Sequence, residues 1–237
     1  HVERAVVGWF RDLFGLPDEG GGLLVSGTSM ATLAALAAAR NRHAGADVRR
    51  LGLVAAPRPM VAYTSAEAHS SVAKAMELLG LGSAALRSVP VLTDFRMDTG
   101  ALARMIAGDR AAGLAPFAVV ATAGTVNTGA TDPIGEIAEI AAHEKLWLHV
   151  DGAFGALQIL VPDLAGRLAG IGSADSIAFD FHKWLHVPYD AGCLLVRDRK
   201  CLLDAFASRP DYLTPGAALA GGEPWFCEMG PELSRGF

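Results

Sequence analysis

Cysteine is scarce here: three in 237 residues, Cys193, Cys201 and Cys227, with no C-x-x-C pair among them. An odd number at wide spacing excludes a disulfide framework or a zinc knuckle and fits a reduced, cytoplasmic setting. Basic runs are missing as well. Twenty Lys and Arg against 25 Asp and Glu leave a net charge of −5. That balance gives no footing to nucleic acid or to an anionic membrane surface. Long apolar runs are absent too. The most apolar stretch, residues 30–39, is mostly alanine and too short to span a bilayer. The opening His1-Val-Glu-Arg lacks the apolar core of a signal peptide. The chain starts without methionine and stops at Ser234-Arg-Gly-Phe237 with no turn or cap. Both ends are expected to continue into a longer chain.

What is present is a core-forming composition, 51% hydrophobic, enough for one large domain or two small ones. Helical spacing is read over 2–14, 29–44, 70–79, 99–112, 134–143 and 201–207. Strands are read over 23–25, 60–64, 86–91, 117–122, 146–150, 176–179 and 193–196. Asp132-Pro133 reads as the N-cap and first turn of the fifth helix. The strands are short apolar runs that alternate with helices, which predicts an α/β fold with a mostly parallel sheet covered on both faces. The Ala- and Gly-rich stretch 215–222 reads as a mobile loop.

In such sheets ligands bind beyond the carboxyl ends of the strands, so residues just after strands are the chemical candidates. Ser26-Gly-Thr-Ser29 leads into a helix and offers hydroxyls, backbone N–H groups and a helix dipole to an anion; an ordinary N-cap at Ser29 is the bland alternative. No Gly-Lys-Ser/Thr follows, so it is not a Walker loop. His69 in Ala68-His-Ser-Ser71 can stack on a flat ligand or simply sit in water. Small residues in Ala121-Thr-Ala-Gly-Thr125 allow close approach to the backbone. Asp151, ending an apolar strand, needs a partner. The stretch Asp175-Ser-Ile-Ala-Phe-Asp-Phe-His-Lys-Trp-Leu185 runs out of a strand into Asp180, His182 and Lys183. A lysine there is expected to be desolvated, and a desolvated amine attacks carbonyls, with the aldehyde of pyridoxal 5'-phosphate (PLP) a common target. A buried Asp against the PLP pyridine nitrogen would keep it protonated. A metal site at His149 and Asp151 is set aside on the expectation that they leave their strand on opposite faces. At His182 and His186 no glutamate follows as H-E-x-x-H requires.

Ala68-His-Ser-Ser71, Thr122-Ala-Gly-Thr125, Leu148-His-Val-Asp-Gly-Ala-Phe154 and Asp180-Phe-His-Lys-Trp184 together resemble the group II PLP-dependent amino-acid decarboxylases, the family of aromatic-L-amino-acid decarboxylase. The resemblance runs over nearly the whole chain. It implies the aspartate-aminotransferase fold (fold type I), with residues 1–237 as the large PLP-binding domain. The N-terminal dimerisation segment and the small C-terminal domain would lie outside these residues. It also implies decarboxylation of an L-amino acid, with aromatic substrates favoured, in a homodimer whose active site lies at the subunit interface.

Residue by residue, the resemblance makes Lys183 the Schiff-base lysine and Asp151 the partner of the pyridine nitrogen. His69 becomes the stacking residue. Thr28 and Ser29 hold the phosphate, with Asp180 and His182 assisting, and Thr125 lies near the cofactor. Tyr212 is the loop tyrosine that returns a proton to the substrate carbon. Two positions depart from the pattern: Met30 follows the phosphate-binding serine, and Val126 stands where relatives often have a second threonine. Alternatives within the resemblance are an aldehyde synthase, another fold type I lyase, or a truncated PLP-binding piece that turns nothing over.

Overall fold

The computed structural model describes residues 2–208 and 226–232. Seven strands form one sheet: β1 (Gly21–Val25), β2 (Met60–Ser65), β3 (Leu86–Val89), β4 (Ala115–Thr122), β5 (Trp147–Asp151), β6 (Ser176–Asp180) and β7 (Gly192–Val196). Their order is β1-β7-β6-β5-β4-β2-β3. Pairing is parallel from β3 through β6 and antiparallel on both sides of β7. β7 alone is therefore reversed, and β1 runs with the rest. One edge of the sheet collects the ends of β1, β2, β4, β5 and β6 together with the start of β7.

The helical segments are α1 (Val2–Leu13), α2 (Thr28–His43), α3 (Val48–Leu51), α4 (Ser71–Leu78), α5 (Thr99–Ala111), α6 (Ile134–Glu144), α7 (Pro162–Ala165), α8 (Phe181–Trp184) and α9 (Lys200–Phe206). They divide between the two faces. Val7 of α1, Leu102 and Ile106 of α5, and Ile137 of α6 pack on Tyr63, Val119, Leu148 and Phe179. On the other face Ala31, Ala35 and Leu36 of α2, Met76 of α4 and Leu202 of α9 pack on Val25, Ala62, Val120 and Leu194. Both faces are covered, which is why the strands carry apolar runs and not an alternating pattern.

The expected elements are present with small shifts. The strand expected over 86–91 stops at Val89, because Pro90 has no N–H to continue a ladder. The crossover between β5 and β6, which shows no clear period, folds largely as 3-10 turns. Asp132 does not cap α6: Pro133 occupies the cap position with no side-chain bond. The Asp132 side chain turns inward, buried, and accepts from the N–H groups of Met97 and Thr122, each at 2.8 Å. An unmet buried N–H costs more than an uncapped helix end open to water, so the carboxylate serves those two donors first. The stretch 215–222, expected as a loop, lies outside the described residues.

Candidate functional site

At the carboxyl edge the strand ends close around a cavity of about 330 Å³. Its wall takes Thr28 and Ser29 from the start of α2, His69 from the β2–α4 connection, Asp151 from β5, and Asp180, His182 and Lys183 from the end of β6. Among the described residues, every one expected at the ligand edge is on this wall except Thr125. Thr125 is buried beside it, its hydroxyl 2.7 Å from Thr128 Oγ1, while its neighbours Gly124 and Val126 face the cavity. Tyr212 lies outside the described residues.

α2 begins at Thr28 behind Gly27, so Ser29 is not its cap. The backbone N–H of Thr28 is held by Asp180 Oδ1 at 2.8 Å. The same carboxylate places Oδ2 3.1 Å from Lys183 Nζ and 3.6 Å from His182 Nε2. A carboxylate only accepts, so Asp180 ties α2 to the lysine turn instead of presenting a donor to an anion. Lys183 corrects the expectation of desolvation. It stands on the single turn α8, not on the strand, and its side chain is 35% exposed. His182 is enclosed: its ring stacks on Tyr189 with centroids 4.0 Å apart, and Nδ1 lies 3.0 Å from the carbonyl of Ala191.

Asp151 is buried and accepts from the N–H of Ala153 at 3.1 Å. Burial pushes its pKa up, and the Ala153 N–H and the positive charge of Lys183 offset only part of that rise. Such a carboxylate is best satisfied by a cation brought in by a ligand. His149 and Asp151, two apart on β5, share a face, contrary to the expectation that they point oppositely. His149 is instead bonded between Ser176 and Thr32. Among the described residues no group of three or more His, Cys, Asp or Glu side chains is arranged to hold a metal ion.

At His69 the ring nitrogen Nδ1 accepts from the N–H of Ser71 at 3.2 Å and lies 2.8 Å from its hydroxyl. In the neutral ring that acceptor role leaves the proton on Nε2. Three contributors escape residue-type reasoning. Thr122 does so because a threonine at the end of a β-branched strand reads as propensity. Tyr189 and the Trp184–Phe154 contact, with Trp184 Nε1 donating to the Phe154 carbonyl at 2.6 Å, depend on the turns after β5 and β6 meeting in space.

Two hydroxyls on the wall, Thr28 Oγ1 and Thr122 Oγ1, are buried without a protein partner. Orphaned buried hydroxyls cost roughly 1–3 kcal/mol each unless something else bonds them. Two unpartnered hydroxyls, one of them at a helix N-terminus, a buried carboxylate and a primary amine fit a ligand with an anionic end, a cationic ring atom and an aldehyde. PLP has all three.

Comparison with known proteins agrees. Residues 1–222 match the pyridoxal-dependent decarboxylase conserved domain. An aromatic-L-amino-acid decarboxylase of Bacillus atrophaeus is 38% identical over 236 residues, all of this chain and 47% of that protein. An L-2,4-diaminobutyrate decarboxylase of Rhizobium meliloti is 37% identical, covering 99% of this chain and 45% of that one. The crystal structure of Oryza sativa TDC with PLP and tryptamine superposes with a TM-score of 0.88 at 33% identity, over 98% of this chain and 49% of that one. The chain thus spans about half the length of these relatives. Agreement along the whole of this span, in sequence and in fold, makes the chain a member of the pyridoxal-dependent decarboxylase family.

Proposed function

We propose that this chain is the large cofactor-holding domain of a PLP-dependent L-amino-acid decarboxylase that releases the amine and carbon dioxide. One observation carries the proposal: Lys183, Asp151, His69 and the N-terminus of α2 converge on a single cavity. When bound, PLP supplies an electron-withdrawing ring that accepts the pair left at Cα as the carboxylate departs.

The protein's own residues set up that chemistry. Thr28, Ser29 and the dipole of the 16-residue α2 hold the phosphate. The buried carboxylate of Asp151 keeps a proton on the ring nitrogen, and this contact relieves its own desolvation. His69 would stack on the ring, and Lys183 would hold the cofactor through its amine. Asp180 orients that amine, and His182 borders the phosphate end. Tyr212 returns a proton to Cα.

Aromatic substrates are favoured, as in the Bacillus relative, with a diamino acid the next candidate, as in the Rhizobium one. Apolar side chains rim the cavity, with Val126 70%, Phe154 46% and Tyr189 78% exposed, and Trp184, 53% exposed, packs on Phe154 beside them. A second subunit covering them is part of the proposal, since exposed apolar rims mark contact surfaces. Cys193 and Cys201 are buried free thiols, in keeping with a cytoplasmic setting. Among the described residues no helix is long and apolar enough to cross a membrane.

The test is a visible-absorption titration with PLP, followed by measurement of carbon dioxide and amine from aromatic and diamino acids. The unaltered chain is expected to take up colour, and Lys183→Ala to lose it. A chain that stays colourless, or a Lys183→Ala variant that keeps the band, overturns the assignment.

A further inference from the structure

A fully buried histidine is left over when the site has been described. His149 lies on β5 two residues before Asp151, on the α2 side of the sheet, and has no solvent exposure. Its Nδ1 is 2.8 Å from Ser176 Oγ on β6, and its Nε2 is 3.2 Å from Thr32 Oγ1 on α2. Ser176 Oγ also accepts from Trp147 Nε1 at 2.8 Å. The hydroxyl proton of Ser176 is then free to point to His149 Nδ1, and Nε2–H donates to Thr32. Every member of the chain Trp147–Ser176–His149–Thr32 is satisfied in that arrangement. Burial pushes the His149 pKa down to about 3, so the ring stays neutral around pH 7.

Such a network is costly to desolvate, and apolar side chains of the same shape would fill the space. What an apolar filling lacks is direction. The buried side of α2 is mostly alanine, Ala31, Ala34, Ala35, Ala38 and Ala39, with Leu36 its one large fully buried side chain. Methyl groups allow close approach but give few knobs to stop a helix from sliding or rotating on the strands. Two polar ties supply the stops. One is Thr28 N–H to Asp180 Oδ1 at the carboxyl end of β6. The other, one helical turn along α2, runs from Thr32 through His149 to Ser176 at the start of β6. The Thr28 N–H points along the helix axis and fixes α2 lengthwise, while the Thr32 side chain leaves one face and fixes its rotation.

We propose that His149 is a positioning residue that fixes the axial and rotational setting of α2, and with it the spacing between the Thr28/Ser29 end of the cavity and Asp151. Its bearing on the cofactor rests on the functional assignment above. Misplacement of one end of a site by about 1 Å is enough to cost two orders of magnitude in rate.

Two independent readouts test it, on the unaltered chain and on Thr32→Val, His149→Phe and His149→Asn. Hydrogen exchange over residues 28–33 of the cofactor-free chain is expected to speed up about tenfold in Thr32→Val and His149→Phe, the loss of roughly one hydrogen bond. His149→Asn, which keeps a polar group toward Ser176, should fall between. The PLP dissociation constant is expected to rise about tenfold in the first two variants, while the colour from Lys183 still forms at saturating PLP. Thr32→Val is nearly isosteric and serves if His149→Phe does not fold. Exchange over 28–33 within twofold of the unaltered chain in a folded Thr32→Val overturns the positioning role, whatever the colour does. Absence of colour in the unaltered chain is the separate failure of the functional assignment. Altered exchange with an unchanged PLP constant would leave α2 anchored by His149 but refute its bearing on the cofactor.

Discussion

Asp151 is a carboxylate whose surroundings disfavour its charge. Burial raises its pKa, so the folded chain binds a proton there more tightly than the unfolded chain does. Stability contributed by this group therefore falls as pH rises from the ordinary carboxylate range through the raised value, and at neutral pH the ionised side chain is a net cost. Asp151→Asn removes the cost. The cofactor-free variant is expected to melt a few degrees higher than the unaltered chain at neutral pH, with the gap closing as the pH falls toward about 4. Its PLP affinity should drop at least about tenfold, one pK unit's worth of lost interaction. Scanning calorimetry across pH, paired with a PLP titration, checks both; a neutral-pH melting temperature below that of the unaltered chain would refute the account. Asp132 shows the contrasting case. It too is raised by burial, but both its oxygens are used by backbone N–H groups, so it serves the frame around Thr122 and not a ligand.

Among the elements, α2 is the one on which the cavity depends. Its first turn faces the start of β7, and Gly192 makes that meeting possible. A Cβ on Gly192 would lie 2.6 Å from Gly27 Cα and 3.0 Å from Asp180 Oδ1. Gly192→Ala must therefore push α2 off the lysine turn, at about 1–3 kcal/mol. A denaturant melt should show that loss, with weaker PLP retention. Gly108 on α5 is the matched control, because a Cβ there would meet nothing within 4 Å. Gly108→Ala is expected to gain up to about 1 kcal/mol from helix propensity alone. Equal effects at the two positions would mean that the α2–β7 contact is not what limits the first substitution.

For the whole molecule the reversal of β7 matters most. Between β1 and β6 it restores β1 to the common direction, so the α2 N-terminus and the lysine turn meet at one edge. Around that meeting point the apolar rim of Val126, Phe154 and Tyr189, with Trp184 packed beside it, stands open in the single chain. Sedimentation velocity at micromolar concentration is expected to give a dimer, and Trp184→Glu to shift it toward monomer. A monomer at all concentrations with the rim intact would remove the second subunit from the proposal.

The residues by themselves carried the α/β class and most element positions, because short apolar runs alternating with helical periods admit few other arrangements. They carried the candidates at the strand ends for the same reason: Asp151, His69, Lys183 and Thr28/Ser29 each follow a legible strand. Tertiary structure alone decided the rest. The exposure of Lys183, the orphaned hydroxyl of Thr122, the burial of Thr125 beside the cavity and the inward Asp132 all depend on which chain segments become neighbours. The shared face of His149 and Asp151 follows from their spacing along the strand, but its consequence appears only when α2 arrives with Thr32. A local pattern states which groups a strand end presents; only the packed fold determines which of those groups find a partner and which remain for a ligand.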